Sequence, residues 1–167
     1  RSAMGTFERL DFPTMKNEDW HFTNIAPVAE KMFGMPRAGS KVSDDVIAKF
    51  SHGQDWNTVV FINGRLERIA EGAENFSVAG LAEEIAGESE VIKRHISRLA
   101  TSESASFTAL NTALATDGAV IRIPANTKIE KPIHLLFIAD ANAENAAVQT
   151  RNLIFAEKFS EATIIES

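Results

Sequence analysis

The spacing of apolar residues divides the chain into a mainly helical part and a part rich in strands. The helical signals are weak up to residue 52, whereas between residues 81 and 118 apolar side chains recur every three or four positions, which is typical of one face of a helix. The clearest cases are Val91, Ile92, Ile96 and Leu99, followed by Phe107, Leu110 and Leu114. From residue 119, short apolar runs alternate with polar connections, and they predict strands at 120–123, 127–130, 133–138, 152–155 and 162–166. We therefore predict an α+β chain with two parts, 1–118 and 119–167.

A hairpin interrupts the helical part. Residues 58–62 form a β-branched and aromatic run, Asn63 and Gly64 follow, and residues 65–69 form a second run. An Asn-Gly pair between two such runs is a strong hairpin signal, because a type I′ turn needs a positive φ at both central residues. We expect two antiparallel strands joined at Asn63-Gly64.

Capping residues set the expected ends of the helices. Ser43 precedes two aspartates and predicts the start of a helix that runs through Phe50. Thr14 is expected to cap a short helix, and Ser104 to cap the last helix of the first part. Gly118 stands where a glycine commonly ends a helix.

The strands after residue 119 fit two architectures. Short strands with polar turns occur in β-sandwiches and in the first coils of a parallel β-helix, where each strand stacks on an earlier one. No exact internal repeat separates the two. The last predicted strand ends one residue before the end of the chain, and a strand with an uncovered edge needs a partner. We interpret the chain as a fragment of a longer protein in which the β part continues.

Composition and charge narrow the class of protein. The chain has 167 residues, 44% hydrophobic and 24% charged, which is the composition of a globular domain with a core of its own. It has no cysteine, so disulfides and thiolate metal sites are excluded. The net charge of −6 leaves no basic footprint for nucleic acid, and no apolar run approaches the roughly 20 residues that span a bilayer. We expect a cytoplasmic protein with no nucleic-acid or membrane partner.

The polar residues form no catalytic or metal-binding motif. None of the four histidines pairs with another histidine or a carboxylate at a recognised metal spacing, and the sequence has no glycine-rich phosphate loop or nucleophile elbow. The adjacent carboxylates Asp44-Asp45 and Glu83-Glu84 would point about 100° apart on a helix, so each pair is expected to face solvent. The sequence predicts no catalytic residue, no metal ligand and no cofactor in this chain.

Two stretches are expected to matter for packing. Trp20 and Phe22 are predicted to dock the N-terminal segment on the rest of the protein, while Glu18 and Asp19 face water. Asn111 lies close to the apolar face of its helix. We expect a buried amide bonded to the backbone there, since an unpaired one would cost about 1–3 kcal/mol.

Six segments of the chain match one family pattern in order. They are Pro13-Thr14 with 18–24, then 60–65, 107–113 with Asp117-Gly118, 132–135, 151–154 and 160–166. Together they resemble the SufD family, the scaffold subunits of the SUF iron–sulfur cluster assembly machinery, and the Trp20 segment favours SufD over the related SufB. His21 and Phe22 replace a basic residue and a tyrosine that are usual in that family. The residues that carry the resemblance are expected to be structural: Trp20, Asn63, Gly64, Asn111, Gly118 and Arg151.

The resemblance implies a fold and a set of partners. It implies an N-terminal helical region with the hairpin, then a right-handed parallel β-helix that begins in 119–167, then C-terminal helices. It implies a non-catalytic scaffold that works with a SufB-like subunit and a SufC-like ABC ATPase through contacts mostly beyond residue 167. No cluster ligand or other cofactor is carried over to this chain. The open end of the β-helix would favour self-association of the fragment.

One alternative stays open from the residues. A β-helix that binds or cleaves carbohydrates would carry a cluster of acidic side chains on one face. The strands here offer Arg122, Glu130, Arg151 and Glu166, which form no acidic group. Such a protein would have its site outside this chain.

Overall fold

The computed structural model describes residues 2–37, 41–51, 55–69, 75–96, 98–101, 103–141 and 144–167. Its helices are α1 (Ala3–Leu10), a 3-10 helix (Glu18–Trp20), α2 (Ala26–Ala29), α3 (Asp44–Phe50), α4 (Leu81–Ala86), α5 (Glu90–His95) and α6 (Ser106–Leu114). Its strands are β1 (Asn57–Ile62), β2 (Arg65–Ile69), β3 (Ser77–Gly80), β4 (Ala119–Ile123), β5 (Ile133–Ile138), β6 (Leu153–Ala156) and β7 (Ile164–Glu166). The predicted α+β class is confirmed.

The strands form two sheets that combine residues from both sides of position 118. One sheet has the order β2-β1-β5-β7, and the other has the order β3-β4-β6. β1 and β2 pair antiparallel, as do β3 and β4, whereas β1 with β5, β5 with β7 and β4 with β6 pair in parallel. The predicted parts 1–118 and 119–167 therefore share both sheets.

Alternation of side chains along the strands places the main core between the sheets. In β1, Val59 and Phe61 point to one face and belong to the same buried cluster as Ile121 and Ile123 of β4. Successive residues of a strand face opposite sides, so Val60 of β1 points the other way. That outer face of the first sheet is covered by α3 through Ile47.

The outer face of the second sheet is covered by α4 and α5. Val120 of β4 packs there against Leu81 and Ile92. Leu153 and Phe155 of β6 extend the same cluster. The two sheets are thus enclosed by short helices on both outer faces.

The four strands after residue 119 alternate between the two sheets. β4 and β6 lie in one sheet, and β5 and β7 lie in the other. In the parallel register, Val120 of β4 is opposite Leu153 of β6, and Ile133 of β5 is opposite Ile164 of β7. Each of the last two strands therefore stacks in parallel on the strand two positions earlier in the chain, with a closely similar offset in sequence.

The hairpin and the α3 helix form where the sequence predicts them. Asn63 (φ 50°) and Gly64 (φ 79°) both have positive φ, as a type I′ turn requires. α3 follows Ser43 and ends at Phe50. A bulge between Val60 and Phe61 adds a shift of register that the turn signal does not reveal.

Several predicted helix ends are wrong. Asn17, not Thr14, precedes the 3-10 helix, and its side-chain oxygen accepts a hydrogen bond from the Thr14 N–H at 2.8 Å. α6 begins after Ala105 rather than at Ser104, and it ends at Leu114, well before Gly118.

The predicted helical face that includes Leu99 and the predicted strand at 127–130 are also wrong, because the chain turns before either is formed. Leu99 is 90% exposed, since α5 ends at His95 and the helical face does not continue. No strand forms at 127–130, where Asn126 turns the backbone with a φ of 57° and only Lys128 bridges to Glu161. Strand β3, by contrast, lies in a region without a predicted strand.

Candidate functional site

Several residues selected in the sequence connect the N-terminal segment to α6 and α6 to the second sheet. Trp20 ends the 3-10 helix and is half-buried, with its ring centroid 5.1 Å from that of Phe107 at the start of α6. Phe107 also lies 5.8 Å from Phe12, whose ring packs edge-on against Phe7 of α1 at 5.0 Å. These rings hold the N-terminal segment on α6.

Phe22 takes no part in this packing. Its side chain is 96% exposed, and its ring is edge-on to His21 at 4.8 Å. The prediction that both Trp20 and Phe22 dock the segment is therefore wrong for Phe22. Glu18 and Asp19 are exposed, as expected.

Asn111 connects α6 to the chain that leads into β6. Its side-chain Nδ2 donates to the carbonyl oxygen of Thr150 at 2.8 Å and to Oε1 of Gln149 at 3.0 Å. Its Oδ1 accepts from Nε of Arg151 at 2.9 Å. The amide of Asn111 thus uses both its donor and its acceptor capacity on three consecutive residues.

Arg151 extends this connection to α5. Its Nη1 donates to the carbonyl oxygen of Ile96 at 3.1 Å. Burial lowers the pKa of Arg151, because the charged form loses contact with water. An arginine still carries its charge at neutral pH, so the guanidinium acts here as a fixed donor.

Gly118 allows the close approach of the two segments. A Cβ at this position would lie 1.9 Å from the carbonyl oxygen of Arg151, and the Arg151 N–H donates to the carbonyl oxygen of Asp117 at 3.0 Å. The predicted helix-ending role is wrong, and the requirement for glycine comes from this contact. We call Asn111, Asp117, Gly118 and residues 148–151 the junction.

The hairpin turn rests against the same segment. A Cβ on Gly64 would lie 2.9 Å from Cγ1 of Val148. Asn63 is buried, and its Nδ2 donates to Oδ1 of Asp140 at 2.6 Å while its Oδ1 accepts from the Asp140 N–H at 3.0 Å. The turn is therefore fixed both to the end of β5 and to the junction.

Asp117 lies in one of the family segments of the sequence but is not among the residues expected to be structural. Its carboxylate is buried and accepts from the N–H of Leu66 in β2 at 2.9 Å and from the N–H of Ala82 in α4 at 3.0 Å. The second bond satisfies an N–H at the start of a helix, which the positive end of the helix dipole reinforces. A single sequence gives no signal for these two partners, because they lie 51 and 35 residues away.

An ion pair joins the central strand of the second sheet to α4. Nη2 of Arg122 is 2.7 Å from Oε2 of Glu84, and its guanidinium lies 5.9 Å from the ring centroid of Phe155. The hydrogen bond from Arg122 holds the pKa of Glu84 below its usual value. The expectation that Glu84 faces solvent is wrong, because this contact leaves its side chain only 18% exposed.

The described histidines, His21, His95 and His134, lie in three different segments of the chain. His95 is half-buried and packs edge-on against Phe155 at 5.4 Å, while His134 is fully buried with Nε2 2.7 Å from the hydroxyl of Ser167. Within the described residues no three His, Cys, Asp or Glu side chains group as metal ligands would. The fourth, His52, lies outside the described residues. Over the same residues, no helix combines the length and the apolar character needed to cross a membrane.

The junction holds segments together through backbone-directed hydrogen bonds, so it is a structural element of a two-sheet α+β domain. The model of the SufBD protein N-terminal region matches residues 1–135 of this chain. An iron–sulfur cluster assembly SufBD family protein of Synechocystis sp. is 32% identical over 165 residues, which cover 95% of this chain and 36% of that protein. The chain belongs to the SufBD family. It spans little more than a third of this curated relative.

Proposed function

We propose that this chain is the N-terminal part of a non-catalytic scaffold subunit that acts in iron–sulfur cluster assembly. Membership of the SufBD family carries the proposal, and the name of the Synechocystis relative supports it. The structural role of the junction agrees with a scaffold, since its side chains bond to backbone groups of neighbouring segments. In this role the chain supplies no cluster ligand and no other cofactor site.

The strands after residue 119 are proposed to be the first coils of a right-handed parallel β-helix. The parallel pairs β4–β6 and β5–β7, with their similar offsets along the chain, support this architecture over a β-sandwich. The division into 1–118 and 119–167 then separates the N-terminal region from the start of the β-helix. It stays a prediction, because both sheets draw strands from either side.

Within the family we propose the SufD branch. The sequence of the segment around Trp20 supports this choice. A SufD-like subunit would act in the cytoplasm with a SufB-like subunit and a SufC-like ATPase, through surfaces mostly beyond residue 167. The carbohydrate-binding alternative also places its site beyond this chain.

Co-purification of the full-length native protein tests the proposal. Mass spectrometry of the proteins retained with it is expected to identify an ABC-type ATPase and a second, related β-helix subunit. Omitting the tagged protein provides the control for proteins that bind the resin. A full-length protein that is stable but is recovered alone would contradict the scaffold role and leave only a shared fold.

A further inference from the structure

Two clefts lie side by side in the N-terminal segment and meet at Pro13. The first, of about 410 Å³, lies between residues 11–15 and the start of α2 with Glu30. The second, of about 380 Å³, lies between residues 17–20 and residues 104–108, at the start of α6. We call the pair the double cleft. Pro13 is buried and lines both parts, so the two clefts are direct neighbours.

Apolar side chains line both parts of the double cleft, beside polar groups that make up most of the second part's exposed lining. Phe12, Met15 and Ile25 line the first part, and Trp20 and Phe107 line the second. Met15 is 52% exposed although its side chain is apolar. Flexible methionines and flat aromatic rings suit surfaces that receive apolar side chains of a partner.

The charged residues that line the double cleft have one sign. Asp11 and Glu30 line the first part, and Glu18 and Asp19 line the second. All four are exposed, and no ion pair engages them within the described residues. The described lining includes no lysine or arginine.

The stretch of chain that contains α2 is held on both sides. Trp20 packs on Phe107 at one end. At the other end the Gly34 N–H donates to the carbonyl oxygen of Asn145 at 2.9 Å, and the Ala147 N–H donates to the carbonyl oxygen of Gly34 at 2.9 Å. Because these contacts fix the segment before any ligand arrives, binding would cost less ordering entropy.

We propose that the double cleft binds a basic amphipathic helix of another protein. Leucine or phenylalanine side chains of such a helix would contact the apolar side chains of both parts, and its lysine or arginine side chains would lie against the four carboxylates. Charge complementarity selects a basic occupant, since an acidic helix would meet only like charges. The inference concerns the N-terminal segment alone and does not depend on the proposed role in cluster assembly.

Peptide binding to the 167-residue chain tests the proposal. The probe is a fluorescent amphipathic peptide of roughly fifteen leucine and lysine residues, long enough to form a helix on the surface. It is expected to bind in an anisotropy titration, more weakly as salt is raised. Glu18→Lys combined with Glu30→Lys is expected to weaken binding about tenfold or more, because two attractive contacts become repulsive.

Two controls separate this site from general attraction to an acidic protein. Glu144→Lys combined with Glu161→Lys makes the same change of net charge at exposed residues outside the double cleft, and should leave binding nearly unchanged. A peptide of leucine and glutamate with the same spacing should not bind.

Four results would overturn the proposal. They are no binding of the basic peptide, equal binding of the acidic peptide, and an equal loss in the control variant. The fourth is a change of oligomeric state on Glu18→Lys with Glu30→Lys in sedimentation of the chain alone, which would make a second copy the occupant.

Discussion

Gly118 and the carbonyl oxygen of Arg151 approach so closely that no side chain fits between them. A methyl group at residue 118 would lie 1.9 Å from that oxygen, so Gly118→Ala must push β4 and the approach to β6 apart. We expect the free energy of unfolding to fall by about 3 kcal/mol or more in urea denaturation. Gly34→Ala is the matched control, since nothing lies within 4 Å of its Cβ position. Equal stability of the two variants would contradict the close contact.

The ion pair of Glu84 with Arg122 predicts a pH dependence of stability. The pKa of Glu84 is held below its ordinary value of 4.5, chiefly by the hydrogen bond from Arg122. A carboxylate with a lowered folded-state pKa stabilises the fold above its unfolded-state pKa, and this contribution is lost as the pH falls through the folded-state value. Glu84→Gln should therefore be less stable than the parent at neutral pH, and the difference should shrink below pH 4.5.

Thermal unfolding of the parent and of Glu84→Gln, followed from pH 7 to pH 3 in steps of about one pH unit, measures this difference in stability. The neighbouring Glu83→Gln serves as control because Glu83 is exposed on the same helix. A gap between parent and Glu84→Gln that stays constant with pH would show that the glutamate acts through packing and not through its charge.

The role of a residue can be predicted from a single sequence when that role depends on its immediate neighbours in the chain. Asn63 and Gly64 can be assigned to a turn because their need for positive φ is a property of the dipeptide itself. Gly118 carries a helix-ending signal of the same local kind, yet its requirement comes from Arg151, which lies in a distant segment of the chain. Asp117 belongs to a matched family segment, but nothing local indicates its role, because both of its N–H partners come from distant elements.

At the scale of elements, Trp20 joins the 3-10 helix to α6 through its contact with Phe107. Trp20→Ala is expected to lower the free energy of unfolding by roughly 1–3 kcal/mol, less than for a fully buried ring because this one is half-buried. Phe22→Ala provides the control: its ring is 96% exposed, and a change within about 0.5 kcal/mol is expected. Equal thermal midpoints for Trp20→Ala and the parent would refute the docking role.

Asn111 is the equivalent contact between α6 and the chain before β6. Asn111→Ala leaves the carbonyl oxygen of Thr150 and Nε of Arg151 without this partner, and is expected to cost about 1–3 kcal/mol in urea denaturation. Asn75→Ala makes the same substitution at an exposed position before β3 and should be nearly neutral. A neutral Asn111→Ala would mean that water replaces the amide at no cost.

Elements are predicted best where their apolar spacing or caps are local. α3 has its expected start after Ser43, and the strands from residue 119 form where they are expected, except at 127–130. The pairing of β1 with β5 has no signal in the sequence, because these strands lie far apart along the chain and parallel partners leave no mark in local spacing. The half-buried β3 is too short to show an alternating pattern.

At the scale of the whole molecule, the chain adds its last strands to the same side of each sheet: β6 follows β4, and β7 follows β5. β6 and β7 are the last strands of their sheets, and within the described residues each pairs on one side only. Their outer edges therefore present unpaired N–H and C=O groups to solvent. An added coil, from the same protein or from a second copy, would continue both sheets together.

This geometry predicts self-association of the chain through β7. Ser167 N–H and the carbonyl oxygen of Thr163 bond to β5, so by alternation the Glu166 N–H faces the open edge. Glu166→Pro removes that donor and is expected to keep the chain monomeric in sedimentation at concentrations where the parent's average mass rises. Glu166→Ala retains the N–H and should associate like the parent. If Glu166→Pro has a parent-like thermal midpoint and associates as readily as the parent, the contact between copies does not involve β7. Loss of association in the variant with Glu18→Lys and Glu30→Lys would then place that contact at the double cleft.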